Sequence, residues 1–307
     1  MRGHTPSYDL TVAASLADAL AQLALPAPAP DAVGAGSAPD AQGVRPRLFA
    51  GGTDLMVLYE AGKLPPGRYL SIARLPELHG IELTPEFVKI GAMSSYRAIR
   101  EAAILQSHFP MLAQAARESG AIAIQNRGTL GGNIMNASPA ADSPPALLAY
   151  DAEVELRSVR GARWVRYAGF HTGYKQTQAA PDELLTRIRL PRHGIGHGTW
   201  HHSYEKVGTR AYQAISKVCM AGFAYVDRGI IEGIRVAFGS VGPTPLLARH
   251  VMADLVGRPA DPSVAALAVA ALAKDIAPID DLRSTRGYRM RVAENLVTAF
   301  VRGLVPS

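Results

Sequence analysis

The chain has 307 residues, enough for two domains or one large one, and its 48% hydrophobic content allows a sizeable core. Its single cysteine, Cys219, excludes a disulfide framework, a thiolate zinc site and a self-contained iron–sulfur cluster. The net charge of +6 comes from basic residues scattered without a Lys/Arg run, which argues for a solvated surface or an acidic partner and against nucleic acid.

From the N-terminus, no clean apolar signal segment follows Met1, because Asp9 and Asp18 interrupt it. Leu10, Val12, Leu16, Leu20 and Leu23 fall at near-helical spacing, with Ser15 as N-cap. Residues 26–43 are rich in Pro, Ala and Gly without periodicity and read as a surface insertion. Within them Gly34-Ala35-Gly36 imitates a dinucleotide fingerprint, but Pro39 stands where the third glycine belongs and no strand precedes it. Arg47–Ala50 reads as a short strand running into Gly51-Gly52-Thr53. Tyr69–Ala73 and Val88–Ala92 read as further strands. Ser94 or Ser95 caps a helix through Ile104, and Pro110 opens another that stops near Gly120. A second glycine pair, Gly131-Gly132, follows.

Val154–Val159 and Trp164-Val165 form a hairpin about Arg160-Gly161, and Leu184–Pro191 is a strand. The glycine-rich stretch His193–Gly198 marks a domain boundary. Beyond it come strands near Tyr204, Met220–Val226 and Ile234–Gly239, then helices Ser263–Ile276 and Tyr288–Leu304. In the last helix Val292, Leu296, Phe300 and Leu304 make an apolar stripe. The apolar run Ala265–Ala273 is too short for a bilayer, so a soluble, cytoplasmic protein is expected. The element order gives an α+β fold with no regular βαβ repetition.

The chemistry concentrates at the two glycine pairs, about eighty residues apart. Bare backbone lets N–H groups approach a phosphate, since no Cβ intervenes. Two such loops, Leu48–Leu55 and Thr129–Asn133, can grip a pyrophosphate from two sides. That points to a dinucleotide held outside a Rossmann fold. At Gly132 a branched side chain is expected to block the phosphate and to disfavour a positive φ. After the second pair, Pro139, Pro144 and Pro145 restrict a loop with one carboxylate, Asp142, suited to sugar hydroxyls. His193, His197, His201 and His202 imitate helical metal spacing, but Gly194, Gly196 and Gly198 work against a helix. No nucleophile elbow or Walker A sequence is present.

At these residues the sequence resembles the FAD-binding medium subunit of the molybdenum hydroxylases, the xanthine dehydrogenase and carbon monoxide dehydrogenase family. The resemblance runs through Ala50–Leu55, Gln125–Asn133, Ala137–Asp142, Asp182–Leu185, Tyr204–Arg210 and Ala214–Lys217. It implies a two-part FAD-binding domain of the PCMH type over residues 1–192. It also implies a C-terminal domain over residues 199–307, a three-stranded antiparallel sheet with a helical bundle. By position, Leu48, Phe49, Ala50, Gly51, Gly52, Thr53, Asp54 and Leu55 would form the first pyrophosphate loop. Thr129, Leu130, Gly131, Gly132 and Asn133 would form the second. Asp142 would bind the sugar part of FAD, Leu185 would pack near the flavin, and Lys206 would lie at its edge. Arg210 and Lys217 would modulate the flavin. Two features depart from the family: the length of residues 26–43, and Ser119, where eukaryotic relatives place an aromatic residue near the flavin.

The resemblance further implies noncovalent FAD that receives electrons from [2Fe–2S] clusters in a small subunit and passes them to NAD⁺, a quinone or O2. Hydroxylation would belong to a large molybdopterin subunit, in a dimer of heterotrimers, and no catalytic side chain or metal ligand is expected here. Two rivals stand beside it. A self-sufficient flavin oxidase of the vanillyl-alcohol oxidase type would carry its own substrate domain. A basic binding module with glycine turns would purify colourless.

Overall fold

A computed structural model describes residues 8–27, 43–192, 197–210 and 213–305. Gly34–Pro39, nearly all of the 26–43 stretch, and His193 lie outside them.

The chain opens with β1 (Tyr8–Val12), α1 (Leu16–Leu23), β2 (Arg47–Phe49), α2 (Thr53–Glu60) and β3 (Gly67–Ser71), and the strands form a parallel sheet in the order β1-β3-β2. The helical reading of Leu10 and Val12 is corrected: both lie on β1. Five-residue pairing with β3 settles the segment, since tertiary pairing overrides a short apolar spacing. The helix starts only at Leu16, where Ser15 accepts from Asp18 N–H at 3.1 Å. Leu16, Ala19 and Leu23 bury against Leu70, Ile72 and Leu75.

The middle of the chain builds β4 (Ile81–Leu83), β5 (Phe87–Gly91), β6 (Glu153–Ser158), β7 (Gly161–Arg166), the small hairpin β8 (His171–Gly173) and β9 (Gln176–Thr177), and β10 (Leu184–Pro191). Five of these form an antiparallel sheet, β4-β5-β10-β6-β7. Between β5 and β6 run α3 (Tyr96–Glu101), α4 (Ala103–His108), α5 (Pro110–Glu118), α6 (Ile122–Arg127), α7 (Leu130–Met135) and α8 (Ser143–Ala149). The single helix expected from Ser95 to Ile104 is two: Ala102 leaves the helical region at ψ 110° and the chain restarts at Ala103. The expected Pro110 start is found, and α5 ends at Glu118 just before Gly120 at φ +63°.

The C-terminal part is β11 (Thr199–Val207), β12 (Val218–Asp227), β13 (Ile230–Gly239), β14 (Leu246–Leu247), α9 (Arg249–Leu255), α10 (Val264–Asp275) and α11 (Arg286–Arg302). A two-residue edge strand, β14, makes the expected three-stranded sheet four-stranded, in the order β11-β12-β13-β14. The continuous apolar run of β12 reflects burial on both faces. Cys219, Ala221 and Phe223 join the core of α5, α8 and the five-stranded sheet, while Val218, Met220 and Val226 join the core of α9–α11. The C-terminal sheet is thereby clamped between its own helices and the rest of the molecule.

The stripe expected on α11 is also corrected. Ala293, Val297, Phe300 and Val301 are its buried apolar residues, while Val292 and Leu296 are only partly covered. Successive i+4 steps drift about 40° round a 3.6-residue helix, so an unbroken i+4 row leaves the contact face. Phe300 lies directly under Gly222, where a Cβ would stand 2.7 Å from the ring. Gly222→Ala should therefore destabilise the protein by roughly 1–3 kcal/mol through overpacking. Denaturant unfolding measures it, and wild-type stability would refute this packing. Among the described residues no helix is long and apolar enough to cross a membrane.

Candidate functional site

The two glycine pairs line one cleft. Gly51 is pressed against the residues that lead into the second loop: a Cβ there would lie 2.0 Å from the carbonyl oxygen of Arg127 and 3.2 Å from Gly128 Cα. Gly128 rests on the Tyr96 ring, and Gly131 backs onto Ala92, to whose carbonyl it donates at 2.8 Å. A cleft of about 310 Å³ opens along this seam, within the usual range for a ligand pocket. A neighbouring hollow of about 440 Å³ shares Ala50, Gly51, Met93 and Thr129 with it.

The loops differ in what they offer. Gly52, the N-cap of α2, has φ +80° and lies over Phe49, whose ring leaves no room for a Cβ. It brings no side-chain cap, and the first α2 amide to reach back into the turn is Met56 N–H, to Gly52 O at 2.9 Å. The amides of Thr53, Asp54 and Leu55 are the orphan donors of a helix start, and all three residues line the cleft. In the second loop the amides are already engaged. Leu130 donates to Ser94 O, Gly131 to Ala92 O, Gly132 to Thr129 Oγ1 and Asn133 to Thr129 O, at 2.8 to 3.1 Å. What that loop adds is a side chain: Asn133 Oδ1 is buried without a hydrogen-bond partner among the described residues. The left-handed backbone expected at Gly132 is found at Gly52 instead; Gly132 sits in the first turn of α7.

Most predicted site residues face this cleft: Leu48, Ala50 to Leu55, Thr129, Gly131 to Asn133, and Leu185. Phe49 is turned under Gly52, and Leu130 is fully buried in the core. Asp142 and Lys206 do not line it; they form a buried ion pair at 2.8 Å, Lys206 also donating to Glu118 O at 2.9 Å. Ser216 Oγ and Ser119 Oγ complete the Asp142 carboxylate at 2.7 and 3.4 Å. Burial pushes the Asp142 carboxyl above its ordinary range, opposed by the Lys206 ammonium. Arg210 donates to Gln213 O, and Lys217 lies over the Tyr288 ring at 4.9 Å. Cys219 is buried, its thiol donating to Tyr204 Oη at 3.1 Å, and burial drives its pKa up.

Sequence reasoning missed Tyr96, Asn136 and Glu183 as cleft residues. Tyr96 is the one aromatic ring among the described lining residues, whereas Ser119 lies outside the lining. Its only sequence signal is its position after the N-cap Ser95. Burial first, and the Asp142 charge next, hold its hydroxyl protonated. Glu183 is held by Arg163 through two hydrogen bonds, 2.7 and 2.8 Å, which keep its carboxyl below the usual range.

Residues 8–193 match the family described as the FAD binding domain in molybdopterin dehydrogenase, and residues 202–304 match the CO dehydrogenase flavoprotein C-terminal domain. The chain is 31% identical over 252 residues to the xanthine dehydrogenase FAD-binding subunit of Escherichia coli O157:H7, covering 81% of this chain and 85% of that one. It is 31% identical over 254 residues to the carbon monoxide dehydrogenase medium chain of Hydrogenophaga pseudoflava, covering 82% and 86%. A solved carbon monoxide dehydrogenase from Hydrogenophaga pseudoflava superposes with a TM-score of 0.86 at 26% identity, over 99% of this chain and 100% of that one. The chain belongs to the FAD-binding medium subunits of the xanthine and carbon monoxide dehydrogenase family.

Proposed function

We propose that this chain holds FAD noncovalently in the cleft between its glycine loops, as the electron-passing subunit of a molybdenum hydroxylase. The observation that carries the reading is the first turn of α2, whose amides have no partner among the described residues, facing a cleft lined by Gly51, Gly52, Gly128, Gly131 and Gly132. The orphaned Asn133 Oδ1 fits the same group, since a sugar hydroxyl of a bound dinucleotide would give it a donor. When bound, FAD supplies both one-electron and two-electron redox chemistry. The chain's own work is to position it. Thr53, Asp54 and Leu55 present amides to the diphosphate, and Gly51 and Gly128 hold the loops in contact. Leu48, Ile72 and Leu185 exclude water from the apolar stretch of the cleft. Lys206 and Ser216 hold Asp142, whose charge acts on the Tyr96 hydroxyl.

Electrons would have to come from [2Fe–2S] clusters on a small partner subunit, because Cys219 alone cannot hold a cluster, and the bound FAD would supply the chemistry to pass them to NAD⁺, a quinone or O2. A large molybdopterin subunit carries the substrate chemistry, and the assembly is a cytoplasmic dimer of heterotrimers. Expression of the single chain beside the co-expressed three-subunit complex tests this. The single chain should be yellow and turn over no purine, aldehyde or carbon monoxide; turnover by it alone would refute the reading. No histidine or cysteine lies within Leu48–Leu55 or Thr129–Asn133, so acid or boiling should release all the flavin. Flavin retained on the denatured chain would show a covalent link.

A further inference from the structure

The described residues that line the cleft include no Lys, Arg or His, yet they include two carboxylates, Asp54 and Glu183. Glu183 is neutralised by Arg163. Asp54 is met differently. Asn136 Nδ2 donates to Asp54 Oδ1 at 3.0 Å, and Lys175 Nζ donates to Asn136 Oδ1 at 2.5 Å. This chain of hydrogen bonds joins the first turn of α2, the residue after α7, and the turn between β8 and β9.

Its anchors are strained. Lys175 has φ 58° and Ala137 φ 46°, both left-handed, and Lys175 N–H donates to Ala137 O at 3.2 Å. Left-handed backbone at a residue with a side chain costs about 1 kcal/mol or more and gathers at ligand clamps. A structural turn of this kind would ordinarily use glycine. Here the position holds a lysine whose ammonium stands one hydrogen bond from a cleft-lining residue. A diphosphate on the α2 amides brings further negative charge beside Asp54, and in a partly desolvated cleft a cation within a few ångströms lowers that repulsion.

We propose that Lys175 is the cation for the cofactor's diphosphate, held at the cleft mouth by Asn136 and Asp54 and passed from Asn136 Oδ1 to a phosphate oxygen when the dinucleotide enters. The inference rests on the flavin reading. Lysine is suited to this role because a point charge on a flexible stem reaches a phosphate with little change in the backbone. The same geometry explains why the rim carries Asp54 at all, since that carboxylate keeps the ammonium in place through Asn136.

The experiment titrates apoprotein with FAD, at low and moderate salt, for the wild type, Lys175→Met and Lys175→Arg, with thermal unfolding of each apoprotein alongside. Lys175→Met should weaken FAD roughly 10-fold or more, the scale of a hydrogen bond to a charged group. It should also flatten the salt dependence of binding, because one phosphate contact is gone. Lys175→Arg should recover most of the affinity. If Lys175→Met also melts early, Asp54→Asn and the Asp54→Asn/Lys175→Met pair decide: the double variant should still bind FAD more weakly than Asp54→Asn alone. Unchanged FAD affinity in Lys175→Met, an unchanged salt dependence, or no rescue by Lys175→Arg would overturn the proposal. A wild type that binds no FAD would instead sink the flavin reading itself.

Discussion

Gly51→Val should abolish FAD binding while the C-terminal part of the molecule stays folded. A Cβ at this position would lie 2.0 Å from the Arg127 carbonyl oxygen, a backbone atom that cannot rotate away. The two loops must then separate. With them part the α2 first turn, whose amides are free, and the α7 start, whose Asn133 Oδ1 has no partner among the described residues. Each loop would keep its own fold, but their shared cleft would be lost. A loss of more than 100-fold in affinity is expected, roughly 3 kcal/mol, from several charge-assisted hydrogen bonds at once. Flavin titration of the purified variant measures it, and circular dichroism checks that it has folded. Wild-type flavin content in Gly51→Val would mean that the seam between the loops is not the site.

Lys206→Met should cost roughly 3–5 kcal/mol of stability at neutral pH, the usual penalty for stripping the partner from a buried charge. Both side chains of the Lys206–Asp142 pair are largely buried, and the ammonium is also tied to Glu118 O. The sign of the pH dependence follows from Asp142. Its carboxyl is already raised by burial, and without Lys206 it rises further. A group raised on folding contributes stability below its unfolded pKa, about 3.9, and loses that contribution as pH climbs through the folded value. The deficit of Lys206→Met against wild type should therefore shrink on acidification, where a protonated Asp142 needs no cation. Chemical unfolding at several pH values tests this. A deficit that does not change with pH would assign the loss to packing of the lysine stem alone.

The sequence exposed the glycine loops that line the cleft better than it exposed the elements around them. Gly51-Gly52 and Gly131-Gly132 were visible because two glycine pairs, each with a threonine close by, recur about eighty residues apart. Their contact across Gly51 and Arg127 was not, since nothing in one sequence reports which loops meet. The helices α2, α6, α7 and α8 escaped because six to eight residues hold too few turns to show a period. Strand β10 was legible, running Leu184–Pro191 as expected, because its inward positions are apolar or threonine and it ends at proline. Residues 8–12 misled because apolar residues two apart and four apart satisfy a strand and a helix alike. Asp142 was singled out as a sugar-binding carboxylate from its proline-bounded loop. Its partner Lys206, 64 residues away on β11, could not be assigned to it without the fold.

Amide hydrogen exchange with and without FAD tests the central claim most directly. The amides of Thr53, Asp54 and Leu55 are the orphan donors at the start of α2, so FAD should slow their exchange markedly. The amides of Leu130, Gly131 and Gly132 are already bonded and should start protected and change less. Saturating FAD that leaves Thr53–Leu55 exchanging at the apoprotein rate would contradict a diphosphate seated on the first turn of α2.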